Sequence, residues 1–289
     1  MADEIFGFIG LGNMGAPMAR NIFEKGQAMI VHDIAGTAKR APEGAEIAQS
    51  NGEVARRAGV IALSLPTVEA NRTVINEIAG VGYTGSVVVD TCTIGPVAAE
   101  ENARILRKVG IEYVDSPVSG LRFRAEEGTL TSMSAGTKEA VERARQLIEG
   151  YSRILYHVGT EPGQGQRMKM VNNALCISAY VTTSEALAYG EHGGLDIDTM
   201  LEVINASSGQ NFSTSHIFPK YVVTEKYDDS GAQAHIIKKD LGLFVDGTNA
   251  DGCPNAVIAM AYEVIAGFAA VDPLQDQMRI YPFVRDRRD

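Results

Sequence analysis

Lys169 and Asn173 stand four residues apart in Gly163-Gln164-Gly165-Gln166-Arg167-Met168-Lys169-Met170-Val171-Asn172-Asn173. On a helix that spacing puts an ammonium and a carboxamide on one face. Aimed into a cleft, the pair could hold a substrate hydroxyl or carbonyl while the lysine exchanges its proton. The same spacing also describes a solvated lysine and a first-turn asparagine on a long helix, and these residues alone leave both readings open. A second constellation is Gly10-Leu11-Gly12-Asn13-Met14-Gly15, which follows the apolar run Ile5-Phe6-Gly7-Phe8-Ile9. Gly10 would permit a tight turn, Gly12 a close approach of phosphates to the backbone, and Gly15 tight packing of helix on strand. A second apolar run ends at Asp33, where dinucleotide-binding folds place a carboxylate for a ribose 2′-hydroxyl. That charge would repel a 2′-phosphate, and no arginine follows directly in Ile34-Ala35-Gly36, although Lys39 and Arg40 are near. NAD is therefore expected over NADP.

These residues need a scaffold, and the sequence patterning supplies one. Short β-branched runs over 5–9, 28–33, 60–65, 86–90, 112–114, 130–135 and 154–158 read as strands. Helical spacing of apolar residues fills 13–25, 68–79, 97–109 and 138–151 between them. Alternation of this kind predicts βαβ units and a mostly parallel, doubly wound sheet of the Rossmann type. After Gly159 the pattern changes. Thr160-Glu161-Pro162-Gly163 is a turn-rich break, and 164–191 reads as one long helix with Met168, Val171, Leu175, Ala179 and Thr182 on a stripe. Further helices are expected over 198–206, 215–223, 234–248 and 256–270, with no strand pair among them. The expected fold is thus α/β: an N-terminal domain over 1–162 joined by a long helix to an all-α domain over 163–289.

Composition narrows the function classes. A net charge of −10 argues against a nucleic-acid binder, which presents surplus Lys and Arg to phosphates. Apolar stretches are interrupted well short of a membrane span, and the acidic opening Met1–Glu4 is unlike a cleaved signal. Cys92, Cys176 and Cys253 form neither a disulfide framework nor a metal motif, so a reducing, cytoplasmic setting is expected. The five histidines, His32, His157, His192, His216 and His235, show no zinc-ligand spacing, and no metal is expected.

Taken in order, GFIGLGNMGAPMA, DTCTIGP, DSPVSG, GTLTSMSAG, GxGxxxKxxNN and KKDLGL resemble the β-hydroxyacid dehydrogenases, the group of 3-hydroxyisobutyrate dehydrogenase and tartronate semialdehyde reductase. The resemblance runs over essentially the whole chain. It implies NAD(P)-dependent, reversible oxidation of a short 3-hydroxy acid to its semialdehyde, with Lys169 as the catalytic lysine. It also implies that Ser119, Gly120 and Asn173 bind the substrate's carboxylate and hydroxyl end. Leu65 and Pro66 would contact the cofactor, Thr93 would lie on its nicotinamide side, and Lys239 would reach it from the helical domain. Homodimers or homotetramers packed through the helical domains are implied as well. Read without the resemblance, Thr93 is a helix cap ahead of Pro96, and Lys238 and Lys239 a solvated helix face.

One departure bears on the substrate. The family usually continues its serine motif with a second glycine, whereas here Ser119-Gly120 is followed by Leu121 and then Arg122-Phe123-Arg124. The Leu121 amide stays available to an anion. Arg122 and Arg124 are either solvated charges or a selector for a second anionic group on the substrate. Alternatives to the leading reading are a glyoxylate-type or sulfonated-aldehyde reductase of the same family, an imine reductase, and a non-catalytic NAD-binding protein. Lys169 counts against the imine reductase. The joint presence of lysine, serine motif and Asn173 counts against the non-catalytic protein.

Overall fold

The structure, a computed structural model, describes residues 4–81 and 84–287; Met1–Asp3 of the acidic opening lie outside the described residues. By internal packing the chain forms two compact units, Met1–Lys169 and Met170–Asp289. The division falls inside the long helix, a few residues after the turn-rich break at Pro162-Gly163.

The first unit is a sheet with helices on both faces. Its strands are β1 (Phe6–Ile9), β2 (Met29–His32), β3 (Glu46–Ile47), β4 (Val60–Leu63), β5 (Val87–Asp90), β6 (Glu112–Asp115), β7 (Val118–Ser119), β8 (Leu130–Ala135) and β9 (Ser152–Gly159). The order β3-β2-β1-β4-β5-β6 is parallel throughout, the arrangement of a doubly wound dinucleotide fold. Beyond β6, strand β8 runs antiparallel to β6 and β7 and parallel to β9. The helices are α1 (Gly15–Glu24), α2 (Asn51–Arg57), α3 (Val68–Val81), α4 (Pro96–Arg107), α5 (Arg122–Glu126) and α6 (Lys138–Tyr151).

Alternate residues of each central strand serve opposite faces. Phe6, Phe8, Val60, Ala62, Val87 and Val89 pack with Met18 and Ile22 of α1 and Val141, Leu147 and Ile148 of α6. Ile9, Ile61, Leu63 and Val88 pack with Val54, Ile75, Ile78, Ala99 and Leu106 from α2, α3 and α4. Burial on both sides makes these strands near-continuous apolar runs, which is why they stand out in the sequence.

The second unit is helical. It comprises most of α7 (Gln164–His192), with α8 (Ile197–Asn205), α9 (Ala234–Asp251), α10 (Ala256–Val271) and α11 (Ile280–Arg285). Its core draws on Ile177, Val181, Leu187, Leu201, Phe218, Leu241, Ile265, Phe268 and Tyr281. The segment expected as a helix over 215–223 is instead a π-helix, Ser213–Val222, with Pro219 inside it. Proline cannot donate its i→i−4 hydrogen bond, and a wider winding is one way to carry it. The apolar stripe expected on α7 also needs correction. Met168, Val171 and Leu175 are exposed, while Met170, Ala174, Ile177, Val181 and Leu187 are the buried residues. Among the described residues no helix is long and apolar enough to cross a membrane.

Candidate active site

The glycine loop between β1 and α1 is shaped by two steric demands. Gly10 has φ +92°, and a Cβ there would lie 2.2 Å from the Ser64 carbonyl oxygen. A Cβ on Gly15 would lie 2.0 Å from the Gly10 carbonyl oxygen, so any side chain would push α1 off the sheet. Gly12 differs: nothing lies within 4 Å of the Cβ it lacks. That open position beside the N-terminus of α1, together with exposed Asn13 and half-buried Met14, leaves room that a pyrophosphate could occupy. Asp33, at the end of β2, is tied to this loop. Its Oδ2 accepts from the Leu11 amide at 2.6 Å and its Oδ1 from the Ala35 amide at 2.7 Å. Arg40 lies 3.5 Å from the same Oδ2.

The loops after β4, β5 and β6 form the carboxyl edge of the sheet, where parallel folds bind ligand. Leu65 is half-buried and Pro66 exposed, and the Leu65 amide donates to Cys92 Sγ at 3.1 Å. Burial and the neighbouring Asp90 carboxylate push the Cys92 thiol well up, which holds it protonated and unsuited to nucleophilic attack. Thr93 is half-buried, and the N-cap of α4 is Gly95, so the capping reading of Thr93 is corrected.

Asp115 ends β6 in register with Asp90 on β5. It is fully buried, and it receives the start of α7: its Oδ2 accepts from Gly163 N at 3.0 Å and Gln166 N at 2.9 Å. Burial pushes its carboxyl up to about 7, against the opposing pull of the Gln166 and Gly163 hydrogen bonds. The Gln166 carboxamide binds Asp115 and the Cys92–Gly95 loop together. One turn further on, Lys169 is only 9% exposed. A lysine so placed is held at a defined position and is not the solvated residue of the alternative reading.

Ser119 is positioned by the antiparallel pairing of β7 with β8, opposite Thr131. Gly120 has φ +135°, and a Cβ there would lie 2.7 Å from Leu130 Cδ2. Leu121 is the N-cap residue of α5, and half-buried. Arg122 is exposed on α5, with its Nε donating to Glu126 Oε1 at 2.8 Å. The Arg124 guanidinium lies 6.0 Å from the Phe123 ring centroid.

Within the second unit, Asn173 is buried, one helical turn beyond Lys169 on α7. Its Nδ2 donates to Asp240 Oδ2 at 2.9 Å, and Lys239 Nζ lies 2.8 Å from Asp240 Oδ1. Asp240 therefore joins the two residues that the sequence singled out separately. Lys239 is half-buried and paired, which replaces the reading of a solvated face. His216 is exposed, stacked on Phe212 at 5.1 Å and hydrogen-bonded to Ser215 at 2.7 Å. Three residues with structural weight here were not picked out from sequence: Gln166, Asp115 and Asp240. Their signal was proximity to the motifs, since Asp240 follows Lys239, Gln166 precedes Lys169, and Asp115 opens the serine motif. Among the described residues no three His, Cys, Asp or Glu side chains cluster as a metal would require.

Residues 5–159 match the model of the NAD binding domain of 6-phosphogluconate dehydrogenase. Residues 163–283 match the model described as NAD-binding of NADP-dependent 3-hydroxyisobutyrate dehydrogenase. The chain is 33% identical over 270 residues to 2-(hydroxymethyl)glutarate dehydrogenase of Eubacterium barkeri, covering 92% of this chain and 89% of that one. It is 33% identical over 264 residues to the NAD-dependent L-serine dehydrogenase of Pseudomonas aeruginosa, covering 88% of each. The structure of Mycobacterium tuberculosis 3-hydroxyisobutyrate dehydrogenase with L-serine superposes with a TM-score of 0.90 at 27% identity, covering 98% of this chain and 99% of that one. Between them the two domain models account for nearly all the described residues, and the similarity to relatives extends along both units: the chain belongs to the β-hydroxyacid dehydrogenase family.

Proposed function

We propose that this chain catalyses the reversible, NAD-dependent oxidation of a short 3-hydroxy acid of the 3-hydroxyisobutyrate kind to its semialdehyde. The observation that carries the reading is Lys169, buried one turn inside a helix whose start is fastened to the carboxyl edge of a dinucleotide-binding sheet. NAD fits the first unit: the glycine loop leaves open space at Gly12, and Asp33 stands at the end of β2 for a ribose hydroxyl. When bound, the nicotinamide supplies the hydride acceptor. The chain must then take the hydroxyl proton, and Lys169 Nζ is the group assigned to that task. Ser119, Gly120 and the Leu121 amide are assigned to the substrate carboxylate, and Asn173, held by Asp240, to its hydroxyl end. Leu65, Pro66 and Thr93 are assigned to the cofactor, as is Lys239 of the second unit. Arg122 can select a second substrate anion only by exchanging Glu126 for it, so a second carboxylate or a sulfonate must compete with an existing ion pair.

Reduced-nicotinamide absorbance with 3-hydroxyisobutyrate, 3-hydroxypropionate, serine, glycerate, threonate, 4-hydroxybutyrate and a sulfonate analogue tests the reading. Turnover of at least one short 3-hydroxy acid is expected, faster with NAD than with NADP. NAD binding without turnover of any of them would overturn it. In the same assay Asp33→Ala should weaken NAD by about 10- to 100-fold, the worth of a lost charge-assisted hydrogen bond, with a smaller loss for NADP. Equal losses for both cofactors would place Asp33 in the loop alone.

We extend the reading to two finer properties, oligomeric state and location. Val171, Leu175, Val257, Met260 and Val271 are exposed apolar side chains on α7 and α10, consistent with a homodimer or homotetramer joined through this unit. A cytoplasmic location accords with three free cysteines.

A further inference from the structure

Gln166 is fully buried, and every hydrogen-bonding position of its carboxamide is used. Its Oε1 accepts from Ile94 N at 2.9 Å and Gly95 N at 3.1 Å. Its Nε2 donates to Cys92 O at 3.0 Å and Asp115 Oδ1 at 2.7 Å. The orientation of the amide is settled by this set. A flip would set the NH2 against two backbone amides and the carbonyl against a carbonyl and a carboxylate. The Cys92–Gly95 stretch holds Thr93, and Gln166 lies one turn before Lys169 on α7. One side chain thus spans the loop after β5, the end of β6 and the helix that carries the lysine, all within the first unit.

We propose that Gln166, paired with Asp115, is a positioning residue that fixes Lys169 against the Thr93 loop, so that lysine and cofactor-side loop hold a set separation. The catalytic part of this proposal rests on the dehydrogenase reading above; the mechanical part does not. Neither residue touches the reacting atoms. A glutamine suits the task because it accepts on one side and donates on the other without carrying charge into the core. A glutamate would keep the bonds from Ile94 and Gly95 but lose both donations and face the Asp115 carboxylate. Displacement of a catalytic group by about 1 Å can cost roughly 10²-fold in rate, so loosening this latch should appear in kcat.

The polarity of the Gln166–Asp115 contact can be reversed, which gives a rescue test. In Gln166→Glu the contact becomes a buried acid pair that cannot carry two negative charges, so a shared proton replaces the amide donor. Adding Asp115→Asn restores a donor, now from position 115 to position 166, while the remaining asparagine oxygen still accepts from the backbone amides of residues 163 and 166; the donation to Cys92 O is the one bond not restored. Gln166→Met fills similar volume and removes all four bonds, and covers the case in which the glutamate variant fails to fold. Two readouts apply: steady-state kinetics with the best hydroxy acid, and hydrogen–deuterium exchange of peptides spanning 167–173. For the folded single variants kcat should fall about 10- to 100-fold with KM for the hydroxy acid within about threefold. Exchange over 167–173 should rise about tenfold, and the double variant should recover part of both relative to Gln166→Glu. Folded single variants with unchanged kcat, unchanged exchange, or no recovery in the double variant would overturn the proposal. If the parent enzyme turns over none of the acids, the dehydrogenase reading fails, and exchange over 167–173 decides the latch by itself.

Discussion

Lys169→Ala should lower kcat and kcat/KM together by about 10³-fold, within the range for a lost general acid–base group, while NAD binding changes by less than about threefold. The split follows from where the lysine sits. It is 9% exposed at the end of the first unit, whereas the cradle proposed for the cofactor, Gly10, Gly12, Gly15 and Asp33, is built by β1, α1 and β2 without it. Lys169→Arg should not restore the rate, because a guanidinium stays protonated at working pH and cannot accept the hydroxyl proton. Initial rates beside a cofactor titration check this. A variant that lost NAD affinity and rate in equal measure would mean that the lysine binds cofactor and does not serve the chemical step.

Gly165→Ala should destabilise the start of α7 severely. An added Cβ would lie 2.6 Å from Met133 O, 2.7 Å from Asp115 O and 2.9 Å from Asp115 Oδ2. Two of these are backbone oxygens of paired strands, and the third is held by Gly163 and Gln166. None can give way cheaply, so α7 must move. We expect a stability loss of about 3 kcal/mol, the upper end for overpacking, together with a loss of activity exceeding the fraction unfolded. Urea unfolding followed by far-UV dichroism measures the first, and specific activity well below the transition the second. An unchanged midpoint would show that the helix start tolerates a displacement of about 1 Å.

What the sequence made legible is what local patterning encodes. The runs of β1, β4 and β5 announce themselves because both sheet faces are covered, and the glycine loop because its steric demands admit one residue type. The departures have equally local reasons. Strands β3 and β7 are two residues each, too short for alternation to register, and β3 is exposed. Helix α2 did carry a signal, Ser50-Asn51-Gly52-Glu53, with the Ser50 hydroxyl accepting from Glu53 N at 3.2 Å, but Gly52 masks it. On α7 apolar residues surround the helix, so periodicity could not say which stripe is buried. The site divided along the same line. Asp33 and Lys169 stood out by motif, but Gln166 and Asp115 meet across 51 residues of chain, a pairing that no spacing rule reveals.

The bond from Leu11 N to Asp33 bears on how such an enzyme changes its diet of cofactors. The carboxylate proposed to discriminate between nicotinamides is also a strut of the glycine loop proposed to cradle them. A mutation that admits the phosphorylated cofactor by removing Asp33 therefore loosens the cradle in the same step, and a lineage drifting that way passes first through a weaker binder of both. Arg40, 3.5 Å from Asp33, softens this valley, since it is already in place to greet a phosphate once the acid is gone. The detour through a weaker binder is avoided only on a two-move path, in which a new support for the Leu11 amide arrives before the acid leaves.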